Sequence, residues 1–262
     1  MKRHNIQFPP LAANHLAQDE AYFYLTRDRK KEKILFHEYD KIYSIPGLYE
    51  QLFYDRLKCN SPRQVTEALE HAIKENNNYF SEMKVLDFGA GNGMMGEELK
   101  KIGIARLVGV DIIEEARTAT NRDRPGIYDE YYVKDFTQLT DEDRNEIKTW
   151  NLNALTTVAA LGFGDIPPKA FIEAFNLIQK QGWVAFNIKE TFLYETDESG
   201  FSRLIRELIF SKYMNINHLE RYRHRLSIEG VPLYYFSVVC WKKAHIPPEL
   251  MEEYELEEEY AA

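Results

Sequence analysis

The chain has 262 residues, of which 44% are hydrophobic, so it is long enough to bury one α/β core with peripheral helices. Residues 1–10 are charged and contain two prolines, and no later apolar run reaches the length of a membrane span. We therefore expect a cytoplasmic protein without membrane contact. The formal net charge is −9, but the segment from His245 onward holds seven Glu and no Lys or Arg. Acids and bases nearly balance in the remainder, which argues against nucleic acid as a partner.

The sequence contains two cysteines, Cys59 and Cys240. Cys240 lies within the apolar run 235–241, which predicts a buried thiol rather than a disulfide or a metal ligand. Neither cysteine enters the expected chemistry, and no metal site is predicted.

The first eighty residues have a helical pattern and are rich in tyrosine. Residues 18–35 carry many charges around a few aromatic residues, and Ser61 followed by Pro62 is typical of a helix start. We therefore expect a helical extension or lid over residues 1–80.

From Lys84 onward, short apolar runs alternate with amphipathic ones, which is typical of βαβ units that build a parallel sheet. Strands are predicted at 85–88, 107–110, 130–133, 154–158 and 183–188. Helices are predicted at 93–102, 114–119, 169–179 and 199–213. Two further strands, 218–226 and 233–242, are joined by a turn short enough only for an antiparallel pair.

These elements predict an α/β fold with a Rossmann-like sheet of seven strands. The sheet is mostly parallel and ends in a C-terminal antiparallel hairpin, with helices added at the N-terminus. The predicted organisation is an N-terminal lid or extension at 1–80, a core at 81–244 and an acidic tail at 245–262.

The predicted strand 218–226 carries a basic cluster. Its members are Arg221, Arg223, His224 and Arg225, interspersed with Tyr222 and Leu226. The cluster has two interpretations, a solvated strand face or a local contact with an anion.

A glycine-rich loop follows the first core strand. Asp87 ends the strand, and Gly89, Gly91 and Gly93 follow at alternate positions before a helix. Glycines let the backbone approach a ligand because they have no Cβ atom. The N–H groups that begin the helix favour an anionic group, whereas Asp87 can order the loop or attract a cation such as an amino group or a sulfonium. A purely structural strand-to-helix turn is the alternative.

Two further acids stand at the ends of predicted strands. Asp111, 18 residues beyond Gly93, lies where nucleotide-binding sheets bind the two ribose hydroxyls, and Ile112 can cover one face of a base. Capping of a helix is the alternative for Asp111. Asp135 can accept a hydrogen bond from an exocyclic amine while Phe136 stacks nearby, or it can form only an Asx turn.

The acid and the alternating glycines at 87–93 resemble the motif of the class I S-adenosylmethionine-dependent methyltransferases, and the resemblance spans roughly residues 84–242. It implies S-adenosyl-L-methionine as the cofactor, with the methionine moiety along the loop, the ribose at Asp111 and the adenine near Ile112, Asp135 and Phe136. The cofactor-binding residues expected in this way are Tyr39, Asp87, Gly89, Ala90, Gly91, Asn92, Gly93, Asp111, Ile112, Asp135, Phe136 and Val158.

A closer similarity runs to the small methyltransferase-like proteins of the Williams-Beuren type, through Tyr39-Asp40 and residues 158–167. In such relatives the N-terminal Tyr-Asp segment folds over the cofactor, which implies that Tyr39 contacts it. This sequence has Tyr43 where that lid commonly has a small residue. A packed helix residue is the alternative for Tyr39.

The resemblance implies transfer of a sulfonium methyl group to an O, N or C atom of a small-molecule acceptor. Holding donor and acceptor in line and excluding water supply much of such catalysis, so no catalytic residue is assigned. If the acceptor needs a base, His37, Glu190, Tyr194 and His218 are chemically able, although each also has a structural explanation.

The sequence also restricts the acceptor. Residues 157–161 lack the Asn/Asp-Pro-Pro-aromatic pattern of enzymes that methylate base amines, which disfavours nucleobases. Residues 190–194 follow the fifth strand at the ligand-binding edge of the sheet. Together with Leu161, Phe163 and the N-terminal tyrosines, they predict a largely apolar, aromatic acceptor pocket.

Two other functions remain open. The spacing Gly91-x-Gly93-x-x-Gly96 also matches the fingerprint of a nicotinamide-dependent oxidoreductase, although Asp87 and the closing hairpin argue against it. A non-catalytic cofactor-binding or scaffolding protein could use the acidic segment 249–259 to meet a basic partner, although such tails are also typical of disordered, solvating segments.

Overall fold

The structure is a computed structural model that describes residues 3–10, 20–76, 78–161, 165–193, 201–210 and 213–250. The predictions that involve Phe163, Tyr194 and the acidic tail beyond residue 250 lie outside the described residues.

The N-terminal segment begins with a three-stranded antiparallel sheet of β1 (Asn5–Gln7), β2 (Tyr22–Arg27) and β3 (Lys30–Leu35). The prediction of a wholly helical N-terminal segment is therefore wrong for residues 22–35. The physical reason is a period of two, because Phe23 and Leu25 are buried while the rings of Tyr22 and Tyr24 lie under lysine ammonium groups.

A two-residue turn joins β2 and β3. Asp28 and Arg29 both have positive φ angles, of 49° and 65°, which suit the right-handed twist of a tight hairpin. The buried side of this hairpin packs with Ile42 and Leu52 of the helical segments that follow. The N-terminal sheet therefore has a hydrophobic core of its own.

The main sheet has seven strands, in agreement with the predicted fold. They are β4 (Lys84–Phe88), β5 (Arg106–Asp111), β6 (Glu130–Val133), β7 (Ala154–Thr157), β8 (Trp183–Lys189), β9 (Met214–Leu226) and β10 (Pro232–Lys242). Their order is β6-β5-β4-β7-β8-β10-β9, and β4 to β8 run parallel. The strand β10 lies antiparallel between β8 and β9, which confirms the predicted C-terminal hairpin.

Seven α-helices are described. They are α1 (Tyr39–Ser44), α2 (Ser61–Glu75), α3 (Met94–Lys101), α4 (Glu114–Asp123), α5 (Asp141–Lys148), α6 (Pro168–Leu177) and α7 (Phe201–Phe210). A π-helical turn at Glu50–Arg56 and 3₁₀ turns at Phe80–Glu82 and Glu190–Leu193 complete the described helical segments. No described helix is long and apolar enough to cross a membrane.

The helices cover both faces of the main sheet. Successive residues of a strand point to opposite faces, so Val85 packs with α2 and α3 while Leu86 packs with α6 and α7. Cys240 is fully buried in this core and both cysteines are free thiols, as predicted. Burial on both faces explains why the parallel strands are almost continuously apolar in sequence.

One core helix, α5, was not among the predicted elements. Its start has a capping box, in which the side chain of Thr140 accepts a hydrogen bond from the N–H of Asp143 and the Asp143 carboxylate accepts one from the N–H of Thr140. The spacing Thr-x-x-Asp is the sequence signal that could have revealed this helix.

Candidate active site

The carboxyl ends of the parallel strands meet at a cavity of about 420 Å³. The lining comes from the loops after β4, β5, β6 and β7 and from the N-terminal segment. Open α/β sheets bind ligands at this edge, where the strand order reverses, and the volume lies in the usual range for small-molecule sites. The cavity is therefore the candidate active site.

The loop after β4 is fixed through both peptide groups of Gly91. The N–H of Gly91 donates to Oδ2 of Asp111 at 2.8 Å, which ties the end of β4 to the end of β5. The carbonyl oxygen of Gly91 accepts hydrogen bonds from Oγ1 of Thr120 at 2.9 Å and from the hydroxyl of Tyr131 at 2.7 Å. The backbone that lines the cavity is thus held in one conformation.

Glycine is required at two positions of this loop. Gly89 and Gly91 have φ angles of 74° and 54°, which residues with a side chain rarely adopt. A Cβ atom on Gly91 would lie 2.5 Å from the hydroxyl of Tyr43, and one on Gly89 would lie 2.9 Å from Cβ of Ala160. The glycine at position 91 therefore makes room for α1 as well as for the cavity.

Asp111 ends β5, lines the cavity and is half-buried. Burial raises the pKa of its carboxyl group, while hydrogen bonds from the backbone N–H groups of Gly91 and Ile113 act in the opposite direction. The distance from the N–H of Ile113 to Oδ1 is 3.2 Å. Since each carboxylate oxygen has two lone pairs, Asp111 can hold the loop and still accept hydrogen bonds from a ligand.

The other predicted residues after β5, β6 and β7 also reach the cavity. Ile112 is 63% exposed, whereas Phe136 is buried with its ring centroid 4.7 Å from that of Phe88. Oδ1 of Asp135 accepts hydrogen bonds from the N–H and the hydroxyl of Thr137, so the predicted Asx turn is present. Of the twelve predicted cofactor-binding residues, Asp87 and Gly93 lie outside the lining, and the other ten belong to it.

Asp87 is a buried residue of β4, just before the glycine loop. Its carboxylate accepts hydrogen bonds from the hydroxyl of Tyr128 at 2.6 Å and from Oγ1 of Thr156 at 2.9 Å. Burial raises the pKa of Asp87 to about 6, although both hydrogen bonds act to lower it. Asp87 therefore links the end of β4 to β7 and to Tyr128. Gly93 caps α3 with a left-handed φ of 86°.

The N-terminal segment closes one side of the cavity with tyrosines. Tyr39 and Tyr43 stack with centroids 5.9 Å apart, and Tyr49 lies 5.0 Å from Tyr43. All three line the cavity. Burial raises the pKa of each phenol above 10, so these side chains stay protonated and can donate hydrogen bonds.

A polar junction fastens this segment to the glycine loop. Arg124 donates from Nη1 to Oε1 of Glu50 at 2.8 Å and to the carbonyl oxygen of Asn92 at 3.0 Å. The side-chain amide of Asn92 donates to the same oxygen of Glu50 at 2.8 Å. Asn92 thus links the loop to the π-helical turn.

His37 is the one predicted base that the structure places at the cavity among the described residues. Its Nδ1 lies 3.0 Å from Oδ1 of Asp165, and both residues line the cavity. When Nδ1 donates to the carboxylate, Nε2 is the nitrogen that accepts a proton. Glu190 is instead ion-paired with Arg221 at 2.7 Å, and Nε2 of His218 lies 3.5 Å from a Glu220 oxygen.

The charged groups of the lining are mostly acidic. Asp40, Asp111, Asp135 and Asp165 contribute carboxyl groups, and the ammonium of Lys134 is bound to Asp143. Such a lining favours a cationic ligand over a polyanion.

Two contributors were missed at the level of sequence. Asp165 lies in a segment that drew attention only by resemblance, and its pairing with a histidine 128 residues away has no local signal. Tyr49 directly precedes the π-helical turn Glu50–Arg56 and is part of no motif. Both are brought to the cavity by tertiary packing alone.

Residues 86–186 match a family model described as a methyltransferase domain. This match identifies a methyltransferase domain within the chain.

Solved structures with a similar fold include a methyltransferase from Anabaena variabilis, with 14% identity, a TM-score of 0.50 and coverage of 79% of this chain and 94% of that one. A methyltransferase from Clostridium acetobutylicum has 11% identity, a TM-score of 0.50 and coverage of 75% and 97%. The magnesium protoporphyrin IX methyltransferase from Synechocystis, solved with bound S-adenosylmethionine, has 14% identity, a TM-score of 0.48 and coverage of 70% and 79%. No curated protein matches the chain in sequence.

The cofactor of this methyltransferase is S-adenosylmethionine, and the described site suits it. The cofactor carries a positive sulfonium and an ammonium group, which match the acidic lining. Its ribose needs paired acceptors, which the Asp111 carboxylate offers inside the cavity.

The raised pKa of Asp87 predicts a pH dependence of stability. Because the pKa in the folded state, about 6, exceeds the ordinary value of 3.8, the proton stabilises the fold fully below about pH 4. This stabilisation is lost as pH rises through 6 and amounts to about 3 kcal/mol at most. The free energy of unfolding of wild type minus that of Asp87→Asn, measured by urea denaturation, should fall between pH 4 and 7.

The control for this experiment is Asp141→Asn, because the Asp141 side chain is 97% exposed. Its difference from wild type should stay nearly constant over the same pH range. A constant or rising difference for Asp87→Asn would contradict the assignment.

Proposed function

We propose that this methyltransferase transfers the methyl group to a small molecule bound beside the cofactor in the cavity of about 420 Å³. The observation that carries the proposal is the hydrogen bond from the N–H of Gly91 to the Asp111 carboxylate. It places a carboxylate that can accept hydrogen bonds from a ribose next to a glycine loop whose backbone a ligand can approach. The near balance of charge outside the C-terminal segment argues against a nucleic-acid substrate.

The lining of the cavity supports a set of cofactor contacts. Asp111 would accept hydrogen bonds from the ribose hydroxyls, and Ile112 and Phe136 would pack near the adenine. The backbone at Gly89, Ala90, Gly91 and Asn92 would meet the methionine moiety, with Val158 and Asp135 at the rim. Tyr39 would cover the cofactor, which is also what the similarity to the Williams-Beuren-type proteins implies.

The reaction needs little covalent help from the protein. Bound S-adenosylmethionine supplies a methyl group that is already activated by the positive sulfur. The closed tyrosine wall of Tyr39, Tyr43 and Tyr49 would exclude water and orient the acceptor.

We propose His37 as the base for an acceptor that must lose a proton. Asp165 holds Nδ1 of the ring, so Nε2 would take the proton of an acceptor hydroxyl. That oxygen would bond to the methyl carbon while the carbon–sulfur bond breaks, and the neutral thioether would leave. The neighbouring tyrosines cannot serve as bases near neutral pH because burial raises the pKa of their phenols.

Cofactor binding tests the first part of the proposal. Asp111→Ala should weaken the binding of S-adenosylhomocysteine by about 1 to 3 kcal/mol, because ribose hydrogen bonds are lost. Asp111→Asn keeps an oxygen that can accept the hydrogen bond from the N–H of Gly91. This variant therefore distinguishes loss of the ribose contact from collapse of the loop. The measurement is isothermal titration calorimetry with Asp141→Ala as the exposed control. An unchanged dissociation constant for Asp111→Ala would remove the ribose assignment.

Transfer of labelled methyl groups to a panel of small phenols and hydroxy acids tests the base. His37→Gln should lower kcat by about 10² to 10⁴-fold and leave the affinity for S-adenosylhomocysteine unchanged. The matched control is His71→Gln, because the His71 side chain is 60% exposed on α2. Full activity of His37→Gln towards every acceptor of the wild-type enzyme would contradict the role of His37.

A further inference from the structure

A second, smaller cavity of about 50 Å³ adjoins the cofactor cavity. The two share His37, Tyr39 and Asp165 in their walls. The far wall of the small cavity comes from the C-terminal hairpin and includes Arg225 and Tyr235. A group bound there would therefore lie next to the proposed base.

Arg225 is a buried cation in this wall. The residue is only 5% exposed, and its guanidinium carbon lies 5.5 Å from the ring centroid of Phe36. Its Nη1 donates to the carbonyl oxygen of Leu226 at 3.0 Å. Within the described ranges of the chain, no carboxylate lies within ion-pair distance of Arg225. A buried guanidinium without an anion is costly, because its charge has left water without a compensating partner.

Among the other groups of this lining that the structure describes, only Asp165 can carry a negative charge. Burial lowers the pKa of His224 well below 6.5 and raises that of the Cys59 thiol, so both stay neutral near pH 7. Asp165 is the one carboxylate among the described residues of this lining, and it lies 3.0 Å from the ring of His37. Because Asp165 pairs with His37 and not with Arg225, the guanidinium can meet an anion that enters the cavity.

A bulge in the hairpin explains why Arg225 points inward. Arg221 and Arg223 are exposed, as alternation along β9 requires, whereas His224 and Arg225 are both buried. The register of β9 against β10 shifts here, since Leu233 pairs with Arg225 and the next residue pairs with Arg223. Bulges re-aim side chains and often lie beside active sites. In the basic cluster, Arg221 and Arg223 therefore form a solvated face, whereas His224 and Arg225 belong to a buried site.

We propose that Arg225 binds the carboxylate of the methyl acceptor, which makes the acceptor a small aromatic carboxylic acid. A guanidinium presents a planar fork that matches the two oxygens of a carboxylate. The cavity has room for about three water-sized groups, which suits a carboxylate. The rings of Phe36, Tyr39 and Tyr235 provide the aromatic surroundings. This inference rests on the proposed function, because it assigns the acceptor of the same site.

Binding of simple probes to the full chain tests the proposal. Benzoate and phenylacetate are titrated calorimetrically in the presence of saturating S-adenosylhomocysteine, beside their neutral amides and inorganic phosphate. The wild type should bind at least one carboxylate ten times more tightly than its amide. Arg225→Gln should lose this preference, and Arg223→Gln should keep it as the exposed control on the same strand.

Cofactor binding and carboxylate preference are measured separately, so failure of the proposed function can be distinguished from failure of the carboxylate assignment. If S-adenosylhomocysteine fails to bind wild type, the proposed function fails. If it binds but neither carboxylate is preferred over its amide, or if phosphate alone binds, the carboxylate assignment is overturned. The same holds if Arg225→Gln, folded by circular dichroism, retains the preference. Should that variant not fold, the comparison of acids with amides in wild type still decides the matter.

Discussion

The site depends on the contacts that hold the backbone of Gly91 in place. Its N–H is held by Asp111, its carbonyl oxygen by Thr120 and Tyr131, and its missing Cβ leaves space for Tyr43. A loop held in this way presents its backbone to a ligand without reorganisation on binding, which is the main advantage of a preformed site. It also joins β4, β5, β6 and the N-terminal segment at one residue, so the fold and the cofactor cavity depend on the same contacts.

The N-terminal segment completes the cavity rather than merely preceding the core. Its sheet packs on a separate hydrophobic cluster, while Tyr43 and Glu50 face the glycine loop. Because His37 comes from this segment and Asp165 from the loop after β7, the proposed base exists only when both are docked. Docking of the N-terminal segment therefore both closes one side of the cavity with tyrosines and completes the proposed base.

The core of the fold was predictable because its parallel strands are continuous apolar runs, and the acids at their ends marked the cavity edge. The hairpin at 22–35 was missed because its turn is Asp28-Arg29 rather than a glycine turn, and its charges obscured the alternation of buried residues. The hydrogen bond that Asp87 accepts from Tyr128, 41 residues away, could not be predicted from the local sequence. The inward turn of Arg225 depends on a bulge, which breaks the alternation on which strand predictions rely.

A crystal structure of the full chain with S-adenosylhomocysteine tests the central claim most directly. The ribose hydroxyls should lie about 3 Å from the Asp111 carboxylate, with the amino-acid tail against the backbone of residues 89–92. The carboxylate should keep its hydrogen bond from the N–H of Gly91 in that complex. A nucleoside bound elsewhere, or one whose ribose does not contact Asp111, would contradict the account.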